Sequence, residues 1–184
     1  MYIADLHIHS RYSRATSRDL TPEQLDFQAR KKGIRLLGTG DFTHPAWREE
    51  LKEKLIPAED GLYRLREDCV LSPEAGAEEE RTRFVVSGEI SSIYKQDGKV
   101  RKVHSLILLP GLEEAEKLSA RLEAIGNIHS DGRPILACPA MICWRLCWRP
   151  ARRACLFPPT SGRRIFPCSA LFLALTGRRS ALGS

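Results

Sequence analysis

Two histidines one residue apart, His7 and His9, sit in the stretch DLHIHS at the end of the apolar run from Tyr2 to Ile8. On an extended backbone residues i and i+2 project to the same side. Both imidazoles can therefore reach one ion, and neutral imidazole suits zinc, manganese or iron. Asp41, Glu89 and His104 follow at intervals along the chain. A carboxylate such as Glu89 can bridge two ions and offset their charge. These five residues, His7, His9, Asp41, Glu89 and His104, are the candidate metal ligands; no separate catalytic residue is assigned. Each alone has a plainer reading as a satisfied polar group near a strand end, and it is their recurrence along successive strands that points to a metal centre.

Other residues carry weaker signals. His44, three residues after Asp41, is open to three readings: a ligand, a partner of a ligand, or part of a helix cap. His129 lies in the turn-rich stretch GNIHSDGRP and is left unassigned. Cys69 reads as a structural thiol. Trp47 and Tyr63 are flat enough to stack on a nucleobase, but packing is the simpler role. The acidic run from Glu78 to Glu80 reads as a solvated loop.

The elements that must position the five candidates are legible as alternating strands and helices over residues 1–137. Tyr2 to Ile8 suits a buried strand. Thr21-Pro22-Glu23-Gln24 then opens a helix with an N-cap threonine and proline in the first turn, and Gly33 closes it. Ile34 to Leu37 predicts a second strand, Pro45 to Leu55 a second helix, and Phe84 to Ile90 a third strand. The Asp97-Gly98 turn leads into a fourth strand that includes Val103 to Leu109. The stretch LEEAEKLSARLEAIG is an amphipathic helix ended by Gly126. Strand–helix alternation predicts a parallel α/β sheet or barrel, with His7 and His9 at the end of the first strand, Asp41 just after the second, Glu89 near the end of the third and His104 within the fourth. The carboxyl ends of parallel strands share one face.

The 184-residue chain has the length of one domain, and a complete β/α barrel typically needs about 250 residues. The net charge of +6 divides unevenly: residues 1–137 hold 21 Lys+Arg against 23 Asp+Glu, whereas residues 138–184 hold eight arginines and no acid. This second segment also lacks Lys, His, Asn, Gln, Tyr and Val, and holds five of the six cysteines. It has no C-x-x-C pair for a zinc knuckle. Its most apolar run, Ile165 to Thr176, is about half of the ~20 residues that a membrane span requires. The N-terminus does not read as a signal peptide, so a cytoplasmic location with reduced thiols and no membrane partner is expected. Arginine without lysine, alongside Pro, Ser, Cys, Trp and Leu, is what a G+C-rich gene yields in a wrong frame. Residues 138–184 are read as an out-of-frame, disordered basic tail; the alternative is a tail that binds nucleic acid.

The stretches ADLHIHSRYSRATSRDLTPEQL, LLGTGDFTHPAWREELKEKL, SGEIS, KVHSLILLP and SDGRPIL resemble the N-terminal part of the polymerase and histidinol phosphatase (PHP) superfamily, and more narrowly its endonuclease Q-like branch. SRYSRAT and GTGDFTHP are the branch-specific parts. The resemblance covers about residues 1–136. It implies a distorted seven-stranded β/α barrel, here incomplete, with a two- or three-metal centre that hydrolyses phosphate esters. It further implies zinc, manganese or magnesium as cofactor, and DNA carrying deaminated bases or abasic sites as substrate, cut on the 5′ side of the lesion. By this resemblance His7 and His9 match the paired histidine ligands, Glu89 the bridging acid and His104 the next histidine, while Asp41 stands where a histidine is usual.

PHP proteins take further His and Asp ligands from later strands, and residues 138–184 contain no Asp, Glu or His. The expectation is a truncated, frameshifted relative of a DNA-lesion endonuclease, inactive as given. The alternative enzyme is a phosphoesterase of a small phosphate ester. Reading the gene around codons 136 to 140 in the other two forward frames should continue the α/β pattern in one of them and soon supply the further ligands. Nucleotide sequencing of that region checks this, and two frames without such a continuation would make the tail a genuine segment.

Overall fold

The computed structural model describes residues 3–72 and 81–139, with the backbone of 155–157. Within them the chain runs β1 (Ala4–Asp5), α1 (Pro22–Lys31), β2 (Leu36–Gly38), α2 (Pro45–Lys54), β3 (Leu55–Pro57), β4 (Tyr63–Leu65), a short 3₁₀ turn (Glu67–Cys69), β5 (Arg83–Gln96), β6 (Lys99–Leu109), α3 (Leu112–Glu123), β7 (Ile135–Leu136) and β8 (Cys155–Phe157). Glu78 to Glu80 lie outside the described residues, as does most of the tail. The three helices form where their caps and apolar spacing place them. Thr21 accepts a hydrogen bond from the Gln24 amide at 3.4 Å, and Gly33 turns the chain with φ +68°. On α3 the buried residues Leu112, Ala115, Leu118, Ser119 and Leu122 recur every three or four positions, the spacing of one helix face.

The sheet is mixed, which corrects the expectation of parallel strands. β1, β2, β5 and β7 are parallel neighbours, whereas β3, β4, β6 and β8 run antiparallel to the strands they pair with. The reason lies in the turns. Asp97 and Gly98 both have positive φ, 51° and 73°, and a two-residue turn of this kind can join only antiparallel strands. His104 lies within the fourth expected strand, and that strand runs antiparallel to β5 as the second arm of a hairpin.

β5 is the hub. Its 14 residues change partners along their length. One edge meets β4 at Phe84 and then β6 from Val86 to Gln96. The other carries β2 beside residues 83–85, then the backbone of Thr39 and Phe42, which bond to Val85 and Ser87, and then β7 beside Ser91 and Ser92. Alternate residues of β5 face opposite ways. Phe84, Val86 and Ile90 join the principal core with Leu25, Trp47, Leu51, Leu118, Leu122 and Leu136. Val85 packs with Leu36 and Leu108 in a smaller cluster apart from it.

Three details depart from the expected elements. β1 is short and both of its residues are exposed, because among the described residues only β2 pairs with it. The β3–β4 hairpin is an addition to the expected pattern. Sequence reading placed no element in the tail, yet the backbone of Cys155–Phe157 pairs with Leu106 to Leu108 of β6. Among the described residues no helix is long and apolar enough to cross a membrane.

Candidate metal centre

The end of β2 and the loop after it, sequence GTGD, bring the first pair of histidines to the site. A Cβ on Gly38 would meet the Leu6 carbonyl oxygen at 2.5 Å, and one on Gly40 would meet that of Ile8 at 2.6 Å. Glycine at both places lets the segment after β1, which carries His7 and His9, lie against this loop. Thr39 and Gly40 are fixed in turn. The Ser87 amide donates to Thr39 Oγ1 at 3.0 Å, the Gly40 amide to Ser87 Oγ at 3.0 Å, and buried Trp47 gives its indole N–H to the carbonyls of Thr39 and Gly40. Trp47 is thus a packing residue, as its simpler reading held.

His7, His9 and Glu89 converge: one donor atom from each lies within 4.8 Å of the others. His7 Nε2 is 2.8 Å from Glu89 Oε2, and His9 Nε2 is 3.5 Å from the same oxygen. The other Glu89 oxygen, Oε1, contacts His104 Nδ1, which also lies 3.0 Å from Ser91 Oγ. Glu89 therefore has imidazoles on both of its oxygens. Its side chain is only 4 % exposed, whereas His7 is 52 % exposed, so the cluster is anchored from below and open above. Burial pushes the Glu89 carboxyl up, but contacts with His7 and His104 and the charge of Arg133 outweigh it and hold the pKa below the usual value. Arg133 Nη1 lies 4.0 Å from Glu89 Oε2.

Asp41 meets this cluster through His9. It is fully buried with φ +46°. His9 Nδ1 lies 3.0 Å from Oδ1, and Oδ2 accepts from the Ser10 amide at 2.6 Å, Ser10 Oγ at 2.7 Å and Ser13 Oγ at 2.9 Å. With the carboxylate as acceptor, His9 Nδ1 carries the proton, which leaves Nε2 as the free lone pair on the side of Glu89. Burial pushes Asp41 up, yet the hydrogen bonds from His9, Ser10 and Ser13 leave its pKa below the usual value. The bond to Asp41 raises His9 against the effect of its own burial. Gly132 covers the arrangement, since a Cβ there would lie 2.4 Å from Asp41 Oδ2.

His44 stands apart as the N-cap residue of α2, without a capping bond from its side chain. Its ring stacks on Tyr12 at 4.3 Å, its Nδ1 is buried without a hydrogen-bond partner, and burial lowers its pKa. His129 is exposed and contacts Glu123. The Tyr63 hydroxyl accepts from the Leu112 amide at 3.1 Å. Sequence reading passed over Ser10, Ser13, Ser91, Gly132 and Arg133, because small hydroxyl residues, a glycine and an arginine carry no spacing signature.

No protein-family model matches the chain. An uncharacterized protein of Methanocaldococcus jannaschii is 34 % identical over 131 residues, a match that takes in 71 % of this chain and 13 % of that protein. Among solved structures the likeness is to endonuclease Q. The lesion-specific endonuclease of Pyrococcus furiosus superposes with a TM-score of 0.66 at 27 % identity, over 84 % of this chain and 33 % of its own. An endonuclease Q bound to a 27-mer duplex, with an abasic lesion at its active site, gives 0.65 at 27 % identity, over 83 % and 33 %. The chain thus has a mixed α/β fold similar to that of endonuclease Q, and it spans about a third of the length of those solved chains.

Replacing Asp41 by Asn leaves buried donors imperfectly matched, and in metal-free buffer it should destabilise the fold by about 1–3 kcal/mol. The pH dependence separates this from a simple packing defect. Because His9 is raised, its stabilisation is complete below its ordinary pKa and is lost as pH rises through the raised value. Because Asp41 is lowered, its stabilisation is present above its ordinary pKa and is lost as pH falls through the depressed value. Urea unfolding across pH should show both losses in the parent and a flattened profile in Asp41→Asn.

Proposed function

We propose that His7, His9 and Glu89 hold a divalent metal ion, that Glu89 and His104 begin a second position beside it, and that the site belongs to a phosphodiesterase acting on DNA at damaged nucleotides. The observation that supports this most is Glu89, a buried carboxylate with histidine nitrogens on both oxygens. Two imidazoles and a carboxylate are a suitable donor set for zinc or manganese. The substrate class rests on the likeness to endonuclease Q, one structure of which carries a DNA duplex with an abasic lesion at the active site.

A divalent ion bound there would supply Lewis acidity at a phosphate ester and make hydroxide available near neutral pH. The chain's own residues do the rest. Asp41 fixes the His9 tautomer, Ser91 steadies His104, and Glu89 offsets positive charge from beneath. Arg133 stands beside Glu89, where its guanidinium can face an incoming phosphate. The exposed rim formed by His7 and His104 leaves the approach open.

Isothermal titration with manganese or zinc should show binding by the purified chain, and the double variant His7→Ala/His9→Ala should lose it. Equal binding by that variant, with thiols blocked, would reject the assignment. The 184-residue chain should not nick duplexes containing uracil, hypoxanthine or an abasic site, because a catalytic group misplaced by ~1 Å can cost on the order of 100-fold, and residues 138–184 supply no further acid or histidine. A version with the alternative reading frame restored should nick them. Metal-dependent nicking by the 184-residue chain that vanishes in Glu89→Ala would show that further ligands are dispensable.

A further inference from the structure

The β5–β6 hairpin extends well beyond the metal centre. Its pairing is unbroken from Val86 opposite Leu109 to Gln96 opposite Lys99, and toward the Asp97-Gly98 turn both strands become exposed. This outer part carries Lys95, Lys99, Arg101 and Lys102 against one acid, Asp97. Among the described residues none of the four pairs with a carboxylate.

The register sorts these charges onto two faces. Glu89, Ser91, Ile93 and Lys95 alternate with their neighbours on β5, and they stand opposite Leu106, His104, Lys102 and Val100 on β6. Lys102 and Lys95 thus share a face with Glu89 and His104, while Lys99 and Arg101 lie on the reverse face with Tyr94 and Gln96. At about 3.3 Å per residue, Lys102 lies some 7 Å beyond His104, and Lys95, level with Val100, about 13 Å beyond it. A nucleic-acid strand advances about 3.4 Å per nucleotide along its axis. The two lysines therefore fall about two and four nucleotide steps from the metal centre, in a line that begins at His104.

We infer that the hairpin is an arm for the DNA backbone, with Lys102 and Lys95 neutralising phosphates about two and four steps along the strand whose scissile phosphate lies at the Glu89 cluster. This rests on the reading of that cluster as a DNA phosphodiesterase site and adds the path of the strand. Phosphate contacts of this kind set register and orientation without reading sequence. The reverse-face pair has the same charge and the same exposure, so it forms an internal control.

The test measures binding of a short labelled duplex with one abasic site to the full 184-residue chain with manganese present, over a range of salt. Lys95→Ala/Lys102→Ala should weaken binding on the order of 10- to 100-fold near 0.1 M salt and reduce the logarithmic salt slope by about 2. Lys99→Ala/Arg101→Ala should change binding by less than about threefold, since charges on the far face are largely screened. Manganese affinity should be unchanged in both variants, which shows that the centre is intact. Equal weakening by the two pairs, or none by either, would overturn the arm while leaving the proposed activity standing. A parent chain that binds manganese but not the duplex would overturn both, and so would one that binds only anionic phospholipid vesicles through Lys95 and Lys102.

Discussion

A β-strand has two hydrogen-bonding edges, and in this protein one strand uses both of them repeatedly. β5 receives β2 and β4 near its start and β6 and β7 further on. Glu89 is paired with Leu106 of β6 on one edge and lies between the β2 and β7 regions on the other, beside Ser87 and Ser91, which bond to the Phe42 amide and the Pro134 carbonyl. The carboxylate is held by strands arriving from both ends of the described chain, so its position is set by the backbone of the whole sheet. The histidines can be exposed at the rim because the group they meet is rigid beneath them.

Much of this was legible in the sequence where local chemistry decides. Thr21, Pro22 and Gly33 bound α1 because caps and turns are properties of a few adjacent residues. The spacing of His7 and His9 placed both rings on one side for the same reason. Strand direction was legible at one point only: the Asp97-Gly98 turn marks a hairpin, yet the parallel expectation was carried past it to His104. β3 and β4 were missed because three-residue strands hold too few positions for periodicity to register. Ser10 and Ser13 escaped notice because their partner, Asp41, is about 30 positions away, and nothing in a serine announces a distant carboxylate.

Asp41 illustrates how a buried charge can be tolerated. Taking a carboxylate out of water is costly unless hydrogen bonds replace its hydration. Four donors do so here, from His9, Ser10 and Ser13. All of them lie within one short loop, so the segment that presents the histidines is also the segment that satisfies the acid. The motif GTGD and the motif HIHS are two halves of one arrangement. The glycines let the backbones approach, and the aspartate then fixes one ring of the pair.

The hairpin of β5 and β6 also divides the site by sequence distance. Glu89 and His104 are joined through a two-residue turn, so their encounter needs only a local loop to close. His7 lies 82 residues from Glu89, and its arrival waits until β1, β2 and α1 have docked on the sheet. Contacts of short range form sooner than those that must close long loops. During folding the Glu89–His104 half can thus exist before the His7–His9 half reaches it. A metal ion that needs both halves would act as a late clasp, holding the N-terminal segment onto a sheet already formed.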